Sequence, residues 1–225
     1  MPEDWKSKYD YVEDFHEGLA RVRLGDHKTG KCGYIDQQGN VVVPIEYDFV
    51  DSFSEGLAEV RLGDYKTGKY GFVDRQGNVV IPLMYDMAGG FREGLALVVL
   101  NGKYGFVDRQ GNVVVPLKYD YVEYFHEGLA KVNIGGVRED DLMKCYGGKW
   151  GYVDQQGNEV VPLKYDIVGS FFWGLAEVNI GGEWYEDEGE DGLVNLGGKW
   201  GFVDMRGNEY WDMTVDEARR QIENR

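Results

Sequence analysis

Residues 148–162 read Gly148-Lys149-Trp150-Gly151-Tyr152-Val153-Asp154-Gln155-Gln156-Gly157-Asn158-Glu159-Val160-Val161-Pro162. On a strand, residues two apart point to one face, so Trp150 and Tyr152 share a side and Gly151 faces the other. A glycine there leaves room for a neighbouring side chain or backbone. Asp154 to Asn158 supplies a hairpin loop with glycine where φ must be positive. The Val-Val run that follows is apolar on both faces, as a fully buried strand would be. Pro162 then ends the ladder because it has no N–H to donate.

The same phrase recurs along the chain, and such recurrence is read before anything else. Lys69-Tyr70-Gly71-Phe72-Val73-Asp74 repeats its first half, and Gln38-Gly39-Asn40-Val41-Val42-Val43-Pro44 its second. The first four copies close on Tyr-Asp, as at Tyr47-Asp48, and all five are preceded by a Phe-x-x-Gly-Leu-Ala-x-Val segment. Those segments begin at Phe15, Phe53, Phe91, Phe125 and Phe171, spaced 38, 38, 34 and 46 residues apart. Ala20 to Leu24 and its counterparts alternate apolar and polar, the signature of a half-buried strand. Asn101-Gly102 reads as a two-residue hairpin turn, and the Tyr-Asp-x-x-x-x-Phe segments as irregular crossovers.

The expected fold is all-β: five three-stranded antiparallel hairpin units. An open curved solenoid is favoured over a closed propeller-like ring. Residues 1–14 form a half-repeat cap, 15–210 the five repeats and 211–225 a capping helix. Thr214-Val215-Asp216-Glu217 is a capping box, and Val215, Ala218 and Ile222 fall on one helix face. A terminal repeat needs such a cover over its open edge.

Together these motifs resemble the WG-repeat family of bacterial β-repeat proteins. The resemblance runs from about residue 8 to 210, with Cys32 in place of the aromatic before Gly33 and no proline in the last unit. It implies a β-repeat fold and a role in protein interactions. It transfers no catalytic residue.

Composition removes other classes. The chain has 225 residues, 40 acidic against 24 basic, and a net charge of −16. That charge repels phosphate, and no basic patch offsets it. Aromatics at 14% are too many for a disordered chain. No apolar run nears the ~20 residues of a membrane span, and the acidic start lacks a signal peptide's pattern. With two cysteines, Cys32 and Cys145, no disulfide scaffold is expected. The expected protein is cytoplasmic and non-enzymatic, with no cofactor.

Candidate chemistry is sparse. Asp36, Asp74, Asp108, Asp154 and Asp204 sit before the Gly-Asn turns and are expected to accept turn N–H bonds. The Tyr-Asp aspartates Asp48, Asp86, Asp120 and Asp166 are read the same way. Tyr70, Tyr104, Trp150 and Trp200 share one strand position and are expected in the core between units. Cys32 is expected buried and Cys145 exposed in a loop. His16, His27 and His126 lack the grouping a metal needs, so no metal site is expected.

The irregular linkers carry most information. They are Gly25–Gly30, Gly63–Gly68 and Asn101-Gly102, then Gly135–Gly148 and Gly181–Gly198. The last two hold Glu139, Asp140, Asp141, Glu183, Trp184, Tyr185, Glu186, Asp187, Glu188, Glu190 and Asp191. Loops gathered on one rim of a repeat array mark a binding face. Carboxylates with aromatic anchors suit a basic protein partner, which admits an inhibitor or immunity-type protein. The alternative is a carbohydrate-binding or glycoside-processing protein, which needs exposed aromatics beside two carboxylates about 5–10 Å apart.

Overall fold

The computed structural model describes residues 4–139, 144–186 and 193–224, and only the backbone at 4, 138, 139, 144, 184–186 and 193–196. The described residues are all-β apart from a short N-terminal 3-10 helix, Asp4–Lys8, and one C-terminal α-helix. Among the described residues there are five antiparallel four-stranded sheets, none closed on itself. The first holds β1 (Tyr11–Val12), β2 (Leu19–Leu24), β3 (Lys31–Asp36) and β4 (Val41–Tyr47). The second holds β5 (Phe49–Val50), β6 (Leu57–Leu62), β7 (Lys69–Asp74) and β8 (Val79–Tyr85). The third holds β9 (Met87–Ala88), β10 (Leu95–Leu100), β11 (Lys103–Asp108) and β12 (Val113–Tyr119). The fourth holds β13 (Tyr121–Val122), β14 (Leu129–Glu139), β15 (Lys144–Asp154) and β16 (Glu159–Tyr165). The fifth holds β17 (Ile167–Val168), β18 (Leu175–Glu186), β19 (Leu193–Asp204) and β20 (Glu209–Trp211). The chain divides into two compact units, residues 1–102 with 106–113 and residues 103–105 with 114–225, the division falling inside the third sheet.

Each sheet thus has four strands rather than the expected three. The extra strand is the start of the segment read as a crossover. Phe49 pairs with Arg61 and Val50 with Val60. The N–H groups of Asp48 and Asp51 extend that ladder on the carbonyls of Arg61 and Glu59, both at 2.9 Å. The chain therefore passes from one sheet to the next through a single aspartate.

Two further expectations are corrected. The third strand does not end at proline: β8 runs through Pro82 to Tyr85. It also is not fully buried, since Val79 is 49% exposed while Ile81 is 1% exposed. Proline is tolerated because β8 is an edge strand and bulges there. Tyr70 opposes Tyr85 and Phe72 opposes Ile81, so the register shifts across Gly71. The bulged backbone lies against Gly71, where a Cβ would meet the Ile81 carbonyl oxygen at 2.5 Å. The strand glycine is required by close approach of backbone. The first long strand alternates as expected in the first repeat, where Ala20 and Val22 are buried between partly exposed neighbours, but in the second Leu57 through Val60 are all buried.

Each hairpin between the phenylalanine and the first long strand turns on Glu-Gly or, in the fifth repeat, Trp173-Gly174. Glu55 at φ 51° and Gly56 at φ 86° are both left-handed, the geometry of a tight two-residue turn. Within the first unit, Tyr34 packs on Phe53 at 4.9 Å and Phe72 on Phe91 at 5.0 Å between ring centres. Within the second, Tyr152 packs on Phe171 at 4.7 Å. The repeats thus bury one another's faces rather than building a single core.

The first and fifth repeats have other packing partners. A Cβ on Gly77 would collide with the Val42 carbonyl of the preceding repeat, whereas at Gly39 the obstacle is the Trp5 ring. Trp5 also meets Phe15 edge-on at 5.9 Å. At the other end α1 (Val215–Glu223) begins at Thr214 with both capping-box bonds formed. Ala218, Val215 and Ile222 pack on Leu175, Phe202 and Tyr210. The helix therefore packs on the face of the fifth sheet that carries Leu175, Phe202 and Tyr210.

Candidate functional site

In their described residues the long linkers are paired strands that extend the hairpins. β14 and β15 stay paired from Leu129↔Asp154 out to Glu139↔Lys144. β18 and β19 stay paired from Leu175↔Asp204 out to Glu186↔Leu193. At each base sits a buried asparagine, Asn133 or Asn179, both 0% exposed. Asn133 Nδ2 donates to the Gly147 carbonyl at 3.0 Å and its Oδ1 accepts the Gly136 N–H at 2.9 Å. Asn179 Nδ2 donates to the Gly197 carbonyl at 3.0 Å. Gly135, Gly147, Gly148, Gly181, Gly197 and Gly198 adopt the positive φ that the offset ladder requires there. Sequence reading missed these braces. Their signal is that only the two long-linker repeats carry Asn-Ile-Gly-Gly, where the others carry arginine or valine in place of the asparagine.

Of the expected partner-binding residues, Glu183 is exposed on β18 opposite Leu196. Glu139, Trp184, Tyr185 and Glu186 are placed by backbone on the paired strands. Asp140, Asp141, Asp187, Glu188, Glu190 and Asp191 lie outside the described residues.

The repeated aspartates are occupied with their own turns. Asp74 Oδ1 accepts the N–H groups of Gln76 and Asn78, and Oδ2 accepts Asn78 Nδ2, all at 2.9 Å. Asp36, Asp108, Asp154 and Asp204 repeat the pattern. Burial pushes the carboxyls of Asp74, Asp108, Asp154 and Asp204 up, but the asparagine and turn N–H donors outweigh it and hold them below the ordinary range. The asparagine amide is the leading cause at Asp36. The Tyr-Asp set joins three elements instead. Asp48 takes Lys31 Nζ at 2.6 Å and the Gly63 N–H at 2.8 Å. Asp166 takes Lys149 Nζ at 2.5 Å and the Gly181 N–H at 2.6 Å. Each such aspartate ties its single-residue link to the base of the next hairpin.

Tyr70 and Tyr104 are 5% exposed and Trp150 is 9% exposed, as expected of a core position, but Trp200 at the chain's last repeat is 46% exposed. Both cysteines are half-buried, which corrects the buried and exposed assignments. Cys145 lies on β15, not in a loop. Among the described residues no three His, Cys, Asp or Glu side chains gather as a metal ion would need. Glu59 is a charged residue that sequence reading passed over. It is 7% exposed, and burial, with Asp51 nearby, pushes its carboxyl up to about 7 against the pull of Arg61.

No curated protein matches the chain. Seven solved chains match, two of them as follows. One is the crystal structure of the eukaryotic initiation factor, at 11% identity and TM-score 0.49, covering 89% of this chain and 54% of that one. The chain thus spans about half that structure's length. The other is a protein of unknown function from Bacteroides caccae, at 14% identity and TM-score 0.27, covering 89% and 79%. A family model described as WG containing repeat matches residues 6–26, 33–65, 70–104, 104–137 and 150–184, more than half the chain. The chain belongs to the WG containing repeat family.

Proposed function

We propose that the chain is a non-enzymatic protein-interaction scaffold of the cytoplasm that takes a basic partner on its two long hairpins. The observation that carries this reading is that the fourth and fifth repeats extend as paired strands to Glu139↔Lys144 and Glu186↔Leu193. The third repeat closes the same connection with Asn101-Gly102 alone. A ladder braced by Asn133 and Asn179 loses less entropy on binding than a free loop would. The two extensions carry nine carboxylates at positions 139, 140, 141, 183, 186, 187, 188, 190 and 191, with Trp184 and Tyr185 among them. Carboxylates of that density steer a cationic surface, and the aromatics supply anchoring area. An inhibitor that neutralises a basic protein is the sharper form of the same reading. The aspartates repeated in every unit support a non-catalytic reading, since their oxygens hold turns. Burial of Tyr70, Tyr104 and Trp150 weighs against the carbohydrate alternative.

The test is affinity capture from a lysate of the source organism, comparing the intact chain with one whose residues 181–198 are replaced by Asn-Gly. The expected result is a basic protein held by the intact chain, lost from the shortened chain and released by salt. Equal capture by both chains refutes the reading.

A further inference from the structure

The first repeat departs from the second at two aromatic positions that lie together. Cys32 stands where the second repeat has Tyr70, and His27 where it has Tyr65. In the second repeat those rings enclose an arginine. The Arg61 guanidinium lies 5.6 Å from the Phe49 ring centre, 5.9 Å from Tyr65 and 5.6 Å from Tyr70. Its Nη1 donates to the Tyr70 hydroxyl and its Nε to the Gly63 carbonyl, both at 3.1 Å. The first repeat keeps the arginine, as Arg23, and one ring, Tyr11 at 5.1 Å. Arg23 Nε is buried and has no hydrogen-bond partner. A pocket of about 170 Å³ occupies the vacated space, lined by Tyr11, Arg21, Arg23, His27, Cys32 and Phe49 among others.

Phe49 is the wall a ring in this slot would meet. In the third repeat the slot ring, Tyr104, packs at 6.1 Å on Tyr121, which is seventeen residues further on. Phe49 stands at the same distance in sequence from Cys32. The volume suits a six-membered ring, since an apolar protein cavity of about 150 Å³ admits benzene. A ring without oxygen would leave the buried Arg23 donor unpaired, which disfavours it. A strongly charged anion finds little further pairing here. Arg21 is already bonded to Glu13 and to the Val50 carbonyl, and Asp48 contributes negative charge to the wall. One ring slot and one unpaired donor remain.

We propose that this pocket binds a phenol group, its ring against Phe49 and its oxygen on Arg23 Nε, the donor whose counterpart on Arg61 is held by the Gly63 carbonyl. The phenol comes either from a free small molecule or from a tyrosine side chain of another protein. The site is independent of the acidic hairpins, so failure of either reading leaves the other standing.

Cys32 lies in the pocket wall, so its alkylation by iodoacetamide reports occupancy. Cys145 is the internal reference, and peptide mass spectrometry resolves the two. At p-cresol about ten times its Kd, alkylation of Cys32 slows about tenfold by mass action, with Cys145 unchanged. Toluene, the same shape without the oxygen, protects less. In Arg23→Leu, p-cresol and toluene protect equally. Cys32→Tyr restores the ring and abolishes the ligand-observed NMR signal of p-cresol binding. A Gly-Tyr-Gly peptide and its phenylalanine counterpart form the second arm. Protection by the tyrosine peptide as well assigns a protein side chain; protection by p-cresol alone assigns a free phenol. Absence of protection by both, equal slowing at Cys145, or undiminished p-cresol binding by Cys32→Tyr overturns the proposal.

Discussion

A single methyl group placed on Gly71 tests why the strand glycine exists. Its Cβ would lie 2.5 Å from the Ile81 carbonyl oxygen, 2.8 Å from the Leu83 nitrogen and 2.8 Å from the Pro82 carbonyl carbon. All three are backbone atoms of the bulged edge strand, so no side chain can rotate away. Over-packing of this kind costs typically ~1–3 kcal/mol. The absence of any yielding neighbour puts Gly71→Ala at the upper end. The lower entropy of the unfolded alanine chain returns ~0.4–1 kcal/mol. The expected net loss is therefore ~2 kcal/mol, or a fall in Tm of about 4–8 °C for a chain of this size. Gly90→Ala is the control, because a Cβ there meets nothing within 4 Å and the backbone is not left-handed. That variant is expected to be neutral or more stable by ~0.4–1 kcal/mol. Urea midpoints followed by far-UV circular dichroism, at unchanged m, read both. A Gly71→Ala midpoint at or above wild type, or equal changes in the two variants, would refute the close-approach argument.

Three other perturbations have defined outcomes. Glu59 titrates at about 7 rather than its ordinary 4.5. Stability from its neutral form is thus full below about pH 4.5 and is lost as pH rises through about 7. The wild type should weaken relative to Glu59→Gln by ~2.5 kcal/mol between pH 5 and pH 8, and a constant difference across that range would refute the assignment. The turn aspartates shift the other way: their folded carboxyls are held below the ordinary range, so their stabilisation is present above about pH 4 and lost below it. In Glu59→Gln, which removes the opposing titration, urea midpoints should be flat from neutrality to about pH 5 and fall steeply below about pH 4; a flat acid limb contradicts the turn hydrogen bonds. Thr214→Ala removes the cap of α1 and should destabilise that helix by ~1 kcal/mol, seen as faster exchange of the Ala218 amide, which bonds the Thr214 carbonyl at 3.0 Å.

What was legible from sequence is what local rules decide. The aromatic-Gly-aromatic strands, the Asp-x-x-Gly-Asn turns and the Thr214 capping box each depend on residues within a few positions of one another. The misreadings share a different origin. Phe49-Val50 and its counterparts are two residues long, too short for alternation to register, and become strands only because Arg61 and Val60 lie opposite. Pro82 does stop ladder bonding at its own nitrogen, yet the strand continues because a bulge and a partner glycine absorb it. Glu59 alternates outward from Ala58 and Val60, but that face of β6 is covered too, a fact supplied only by tertiary packing. The Gly-rich, acidic linkers resemble loops in composition. Their strand character follows from Asn133 and Asn179, whose partners at Gly147 and Gly197 lie across the hairpin.

Five copies of one sheet constrain where function can reside. A residue present in every copy and bonded in every copy to its own turn is explained by folding alone, as Asp36, Asp74, Asp108, Asp154 and Asp204 are. Recognition of a single partner needs an asymmetry, and the repeats supply it at few places. Repeat one has a cysteine in place of the ring at position 32, and its Arg23 Nε is unpaired. Repeat two buries Glu59 beside Asp51, where the first and fourth repeats pair Arg21 with Glu13 and Lys131 with Glu123. Repeats four and five lengthen one hairpin each and brace it with asparagine. Each departure gives up a contact that its sister repeats retain or adds chain that they do without. Substitutions at these sites should therefore separate binding from stability, whereas substitutions at the shared positions should change both together.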